Sequence, residues 1–280
     1  MDLAQQMKEL CRIYDLHPSR SKGQNFLVTE SVYNDIIAAG ELTKGDTVLE
    51  VGPGLGFLTA RLAKAAGQVV TVELDDKLAN FLQTALDSQA VTNVTLLNQD
   101  ILRFNPDNLP AGYKIVANLP YNISSIFLRT FLEQKNAPER MVLLLQKEVA
   151  QRLAAKPGAM SLLSLSVQFY SQPEIIRLVK AGNFWPEPKV DSALVRLKLD
   201  SGRSSAYSAL EKKAFFRLVR IGFSAKRKML KNNLAAGLNL DLATVAEILK
   251  ASNLPPQIRA EELSLDDWQK LFATARSFVL

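Results

Sequence analysis

Asn118-Leu119-Pro120-Tyr121 forms a small kit for holding a planar amine. The Asn carbonyl can accept a hydrogen bond from an N–H. Pro120 has no N–H of its own and helps fix the turn, so the carbonyl of Leu119 or Pro120 can point at the same amine. The Tyr121 ring offers a face on which a base can stack. These groups suit transfer of a methyl to the exocyclic nitrogen of adenine. Taken alone, the four residues also suit a Pro-Tyr turn with a structural Asn. A second constellation upstream, Glu50-Val51-Gly52-Pro53-Gly54-Leu55-Gly56, weighs for the chemical reading. Glycines let a backbone approach a ligand closely, and a helix N-terminus favours a ligand's anionic or polar groups. The spacing is G-x-G-x-G. It is not the G-x-G-x-x-G of dinucleotide folds, and it lacks the Lys-Ser/Thr of a phosphate-binding loop.

These residues need strands to place them. The run Tyr113–Ala117 reads as a buried strand feeding the tetrapeptide, and Thr47–Val51 as a strand entering the glycine turn ahead of a helix over Phe57–Ala66. Val69–Glu73 is a third strand. It ends in an acid at the spacing where α/β folds place an acceptor for ribose hydroxyls. Val94–Asn98 is followed by Gln99-Asp100, whose carboxylate could accept from an adenine amine. Either acid alone could be a solvated loop residue. Successive strands each ending in a ligand-type residue argue for a binding edge.

Alternation of strands and helices from Thr47 to about Leu199 predicts a mainly parallel, covered sheet. The spacing predicts helices over Ala4–Ile13 and Ser31–Ala39, capped by Thr29 or Ser31, a fifth strand over Met141–Gln146 and a helix over Lys147–Ala155. Leu162–Tyr170 reads as apolar and β-prone, and Ile175–Lys180 with Ser192–Leu199 as a terminal antiparallel pair. Asp200–Ser205 reads as a linker. Beyond it the pattern is helical, over Leu210–Ile221, Arg227–Leu234, Leu242–Ala251 and Leu265–Ala275.

The chain has 280 residues and a formal charge of +6, a balance that fits a polyanionic partner. Its single Cys11 and single His17 exclude an internal disulfide, a cysteine metal site and His-cluster or Ser-His-Asp chemistry. His17, beside Pro18, reads as a surface loop residue. No signal-peptide pattern and no membrane-length apolar run is seen, so a soluble cytoplasmic protein is expected. Lys212, Lys213, Arg217, Arg220, Lys226, Arg227, Lys228 and Lys231 fall in one span without an acid. Such a run is often only a solvated face. Beside Gly222-Phe223-Ser224, in a chain suspected of handling RNA, it reads as a phosphate contact surface.

The E-x-G-x-G-x-G turn resembles motif I of methyltransferases that use S-adenosylmethionine. With Gly23-Gln-Asn-Phe-Leu27, Val72-Glu-Leu-Asp75, Gln99-Asp-Ile101, Asn118–Tyr121, Leu145-Gln-Lys-Glu-Val149, Phe184-Trp-Pro-Glu-Pro-Lys-Val-Asp-Ser192 and Gly222–Asn232, the chain resembles the KsgA/RsmA family of ribosomal RNA adenine dimethyltransferases over nearly its whole length. The resemblance implies an α/β fold: a Rossmann-like methyltransferase sheet over residues 1–200 and a small all-helical RNA-binding domain over residues 201–280. It implies S-adenosylmethionine as cofactor, contacted by Asn25, Leu27, Gly52, Glu73, Asp100 and Asn118, with Gln24 framing the site. Asn118, Leu119, Pro120 and Tyr121 would hold the target adenine, with Phe184 stacking opposite Tyr121 and Trp185 acting as a plug or surface contact. Arg217, Arg220, Lys226, Arg227, Lys228 and Lys231 would contact RNA. The implied reaction is dimethylation of two adjacent adenosines in the 3′-terminal hairpin of 16S rRNA, within immature small ribosomal subunits. No metal and no membrane is implied, and a monomer is the simplest expectation. Alternatives are an Erm-like enzyme acting on 23S rRNA and a non-catalytic nucleic-acid-binding factor of the same fold. The stretch Lys156–Ser166 departs from the family, which has a Tyr-Gly pair near Leu162-Leu163. Arg20 and Lys22 are also spaced differently from its pattern.

Overall fold

The computed structural model describes residues 2–19 and 23–279, with the side chains of Ser201 and Arg203 excepted, so Arg20 and Lys22 lie outside the described residues. The chain divides into two compact units. One comprises the chain up to Ala150 together with Pro173–Leu199; the other comprises Gln151–Gln172 and the chain from Asp200 onward.

In the first unit the elements run α1 (Leu3–Ile13), β1 (Phe26–Leu27), α2 (Glu30–Gly40), β2 (Thr47–Val51), α3 (Phe57–Ala65), β3 (Gln68–Glu73), α4 (Asp76–Ser88) and β4 (Val94–Asn98). They continue with β5 (Lys114–Asn118), α5 (Ser124–Leu132), β6 (Arg140–Gln146) and α6 (Lys147–Leu153). After α7 (Leu162–Tyr170) come β7 (Ser171–Val179), β8 (Phe184–Trp185) and β9 (Ser192–Leu199). Seven strands form one sheet in the order β4-β3-β2-β5-β6-β9-β7. The pairs among β4, β3, β2, β5 and β6 are parallel; β9 runs antiparallel to β6. Strands β5 and β6 read as almost unbroken apolar runs because they lie inside this sheet. Val32, Tyr33 and Ile36 of α2 and Leu58 and Leu62 of α3 pack with Val48, Val116, Val142 and Leu144 of the sheet. No helix among the described residues is long and apolar enough to cross a membrane.

Chain order reverses between β2 and β5: β3 and β4 lie to one side, β6 to the other. Such a switch point opens a crevice at the carboxyl ends of the strands, where open α/β sheets bind ligands. The glycine turn follows β2 and Asn118 ends β5, so both motifs sit at that crevice. Gly54 and Gly56 have φ of +57° and +79°. A Cβ on Gly54 would lie 2.7 Å from Phe26 Cε1, and one on Gly56 2.6 Å from Leu82 Cδ1. Conformation and close packing together therefore require glycine at both positions.

The second unit adds α8 (Ser201–Ser205), α9 (Ala209–Gly222), α10 (Leu230–Leu238), α11 (Leu242–Ala251) and α12 (Leu265–Val279). Asp200–Ser205, read as a linker, thus carries a short helix. Leu162–Tyr170 is a helix and not the β-prone segment expected. Its apolar residues lack an amphipathic period because the helix is largely buried, and the decisive local signal is the reciprocal Ser161–Ser164 cap at its start. Phe169 lies 5.0 Å from Phe215 of α9, ring centroid to centroid. The unusual loop before this helix is anchored within the same unit, where Gly158 N–H and Met160 N–H both donate to the Glu261 carbonyl. The helix expected from Arg227 starts only at Leu230. Lys226, Arg227 and Lys228 instead occupy an exposed turn, held by the buried Asn233 amide donating to the Gly222 and Ala225 carbonyls at 2.6 and 3.1 Å.

Beneath the crevice, β2 carries Glu50, which is 1 % exposed. Its Oε2 accepts from Thr59 Oγ1 at 2.7 Å, and its Oε1 has no partner among the described residues. Burial pushes this carboxyl up to about 7, against the pull of the Thr59 and Thr71 hydroxyls and with a smaller repulsion from Glu73. The folded protein therefore holds this proton more tightly than the unfolded chain does. The stability that Glu50 contributes is fully present below the ordinary carboxylate pKa and is lost as pH rises through about 7. Denaturant unfolding at pH 4.5 and 7.5 should show the wild type losing on the order of 3 kcal/mol more than Glu50→Gln over that interval. Equal losses in the two proteins would contradict a neutral, buried Glu50.

Candidate active site

The carboxyl ends of β2, β3 and β5, with the loop after β4, surround a cavity of about 220 Å3. Asn25, Gly52, Glu73, Asp100 and Asn118 all line it, together with Gln24, Leu74, Ile101 and Pro120. Residues far apart in sequence thus converge as the motif spacing required. Glu73 is 6 % exposed. Its Oε2 accepts from Gly54 N–H at 3.1 Å and its Oε1 from Asp75 N–H at 2.9 Å. Burial raises its pKa, against the pull of these N–H donors. Asp100 accepts from Leu102 N–H at 2.9 Å, which fixes the turn over Ile101–Arg103. Gln24 clasps the N-terminal segment: its Oε1 accepts from Ser19 N–H at 2.7 Å and its Nε2 donates to Asp75 at 3.3 Å. Asp75 in turn caps α4.

Leu27 is the exception among the expected cofactor contacts. Its side chain is 2 % exposed in the core with Val32 and Tyr33, and its carbonyl accepts from Tyr33 Oη at 2.8 Å. It is not part of the cavity lining.

A second cavity, of about 630 Å3, is lined by Tyr121, Gln146 and the loop Glu187–Val190. Gly23, Asn25 and Asn122 line both cavities, so the two share a wall. From the first cavity, the Asn118 amide Nδ2 donates to the carbonyl of Asn25 at 2.9 Å. The bond commits the NH2 end of the amide and leaves Oδ1 as the acceptor. The Pro120 carbonyl already accepts from Ile123 N–H at 3.2 Å and from Ser124 Oγ at 3.4 Å. Of the two backbone acceptors, the Pro120 carbonyl is thus already engaged within its own turn. Tyr121 Oη lies 2.6 Å from Ser192 Oγ.

Phe184 does not line the second cavity. Strand β8 pairs antiparallel with β1, in the register Leu27↔Phe184 and Phe26↔Trp185. Phe184 is 3 % exposed in the same core as Leu27. Alternation sends Trp185 the other way, to pack at 6.3 Å from Phe26 in a cluster with Met7 and Cys11. Asn122, Gln146 and Ser192 were not singled out in the sequence. Ser192 and Tyr121 are 71 positions apart, and no local pattern links them.

In the helical unit, Arg220, Lys226, Arg227 and Lys228 are exposed, while Lys231 is half-buried at the start of α10. Lys226 Nζ lies 3.9 Å from Glu261, and Arg217 donates to the Val279 carbonyl at 3.3 Å.

Known proteins share both the sequence and this arrangement. The family model described as ribosomal RNA adenine dimethylase matches residues 17–275. A ribosomal RNA small subunit methyltransferase A of Dehalococcoides mccartyi (strain CBDB1) is 44 % identical over 272 residues, covering 96 % of this chain and 92 % of the relative. The protein of the same name from Desulfitobacterium hafniense (strain DSM 10664 / DCB-2) is 43 % identical, covering 89 % of each chain. Among solved structures, a dimethyladenosine transferase from Plasmodium falciparum superposes with a TM-score of 0.80 at 25 % identity, covering 90 % of this chain and 98 % of that one. The 23S rRNA methyltransferase ErmE gives 0.74 at 26 %, covering 89 % and 99 %. A match over nearly the whole length, with the glycine turn and Asn118–Tyr121 at one crevice, places this chain in the ribosomal RNA adenine dimethylase family.

Proposed function

We propose that the chain methylates N6 of adenosine in small-subunit ribosomal RNA, using S-adenosylmethionine. The observation that carries this reading is the fixed Asn118 amide, which lines the first cavity and is bonded to Asn25, a residue that lines both. The first cavity fits the cofactor by its donor set. Glu73 and Asp100 supply carboxylates for ribose hydroxyls and an adenine amine, Leu74 and Ile101 supply apolar walls, and the glycine turn gives close backbone approach. When bound, S-adenosylmethionine supplies a methyl already activated by its sulfonium charge.

The chain's own residues do the rest. Adenine N6 is a weak nucleophile because its lone pair is delocalised into the ring. Asn118 Oδ1 and the Leu119 carbonyl accept the two N6 hydrogens and draw that lone pair out of the ring. Tyr121 gives the base a stacking face in the second cavity; the structure supports it alone in this role, with Phe184 in the core. The target base must leave its stack to enter. No side chain has to act as a strong base, so positioning and electrostatics carry the rate. The room beside Tyr121 accommodates an amine that already bears one methyl, as a second transfer requires.

The relatives named for the small subunit support 16S over 23S rRNA, and the family resemblance supports the adjacent adenosine pair of the 3′-terminal hairpin in immature subunits as the target. Residues 201–280 serve as the RNA-binding domain, with the turn Lys226–Lys228 and Arg220 meeting phosphates. Those contacts position the RNA and leave choice of the base to the pocket. Action on ribosomal RNA in the cytoplasm, by a monomer, completes the reading.

Two outcomes follow. Asn118→Ala should lower transfer to small subunits by about 10²- to 10³-fold, as loss of a preorganised acceptor does, in a protein that still folds, with loss of the bond to the Asn25 carbonyl costing about 1 kcal/mol of stability. Turnover at the wild-type rate would remove Asn118 from the mechanism. Replacing Arg227 and Lys228 by Ala should reduce the dependence of log affinity on log salt by about one unit per lost phosphate contact, without altering which base is methylated. An unchanged salt slope would make that turn a merely solvated surface.

A further inference from the structure

We infer that Ser192 is a positioning residue for methyl transfer: its hydroxyl holds the Tyr121 ring against the target base. The inference rests on the proposed function and adds a residue to it.

Parallel strands end at the crevice, so an antiparallel strand must begin there. Strand β9 begins with Ser192, whose Cα partner on β6 is Gln146 at the edge of the second cavity. Ser192 is fully buried. Its neighbour Asp191 fixes the backbone: the Asp191 carbonyl accepts from Lys147 N–H at 2.9 Å, and its carboxylate accepts from Ala181 N–H at 3.0 Å and Lys180 Nζ at 2.9 Å. The hydroxyl is therefore a stationary post.

Tyr121 is the moving part. It stands in the turn after β5, two strands from β9 in the sheet, and the 2.6 Å bond to Ser192 spans the intervening end of β6. Burial raises the phenol pKa, so the ring keeps its proton and stays able to share it with Ser192. Without this bond no other polar group among the described residues fixes the far end of the ring, and the ring can rotate about its side-chain torsions. The second cavity is roomy enough for it to do so. A stacked base would then follow the ring, and N6 would leave its line with the methyl.

The measurable consequence is a split between kinetic constants. RNA affinity comes mainly from phosphate contacts, so KM for small subunits should stay within about twofold. Alignment should suffer instead, so kcat should fall about tenfold in Tyr121→Phe, which keeps the ring, and equally in Ser192→Ala. The double variant should be no worse than either single one, because both remove the same bond. Ser192→Thr retains the hydroxyl and should restore most of kcat. Cofactor affinity, measured by calorimetry on all four variants, should match the wild type. Additive losses in the double variant, wild-type kcat in Ser192→Ala, or a loss that follows cofactor affinity would each overturn the inference. Absence of transfer by the wild type itself would overturn the proposed function, and this inference with it. Transfer by the wild type with additive variants would overturn the inference alone.

Discussion

The bond from the Asn118 amide to the Asn25 carbonyl joins segments 93 residues apart, and the site depends on it. It brings the N-terminal segment against the end of β5. That contact anchors Asn25, which lines both cavities, and orients the Asn118 amide. Neither segment could arrange this alone. The sheet must first reverse its order between β2 and β5 to open the crevice, and the segment Gly23–Phe26 must then close over it. Phe26 is held in turn by the glycine turn, where a Cβ on Gly54 would collide with its ring. Cofactor cradle, N-terminal segment and acceptor are therefore one packed unit.

Charge is used sparingly at this site. The carboxylates closest to the glycine turn, Glu50 and Glu73, are both buried and both pushed toward their neutral forms. Glu73 is held by N–H groups of the glycine turn and the α4 start; Glu50 accepts from the Thr59 hydroxyl. Lys226, Arg227 and Lys228 of the second unit lie exposed in the Gly222–Leu230 connection, which a buried Asn shapes. Polyanion contact and base selection thus rest on different elements. That division lets the pocket rely on short-range hydrogen bonds, which salt screens little, while the basic turn supplies a salt-sensitive grip.

Much of this was legible in the sequence because the informative residues are local. The glycine turn, Glu73, Asp100 and Asn118–Tyr121 each close a strand whose apolar run announces it. Strands β2 and β4 occur where hydrophobic patterning placed them. The sequence is less legible where a residue's surroundings are set across the sheet. Phe184 is aromatic and lies in a proline-rich loop motif, yet its register with Leu27 turns it into the core. Leu27 shares that fate. Ser192 gains its role only when β9 lies next to β6. Leu162–Tyr170 has the composition of a strand, and burial of Leu165, Val167, Phe169 and Tyr170 with the cap at Ser161 accompanies its folding as a helix. Units that are discontinuous in sequence, such as Gln151–Gln172 joining the C-terminal helices, leave no local mark at all.

The most direct test identifies the product. Purified protein is incubated with labelled S-adenosylmethionine and small subunits from a strain lacking this methylation, and the digested 16S rRNA is resolved into nucleosides. The account expects N6,N6-dimethyladenosine in the 3′-terminal fragment. Label confined to 23S rRNA when large subunits are supplied, or no label on either RNA while the cofactor binds, would contradict it.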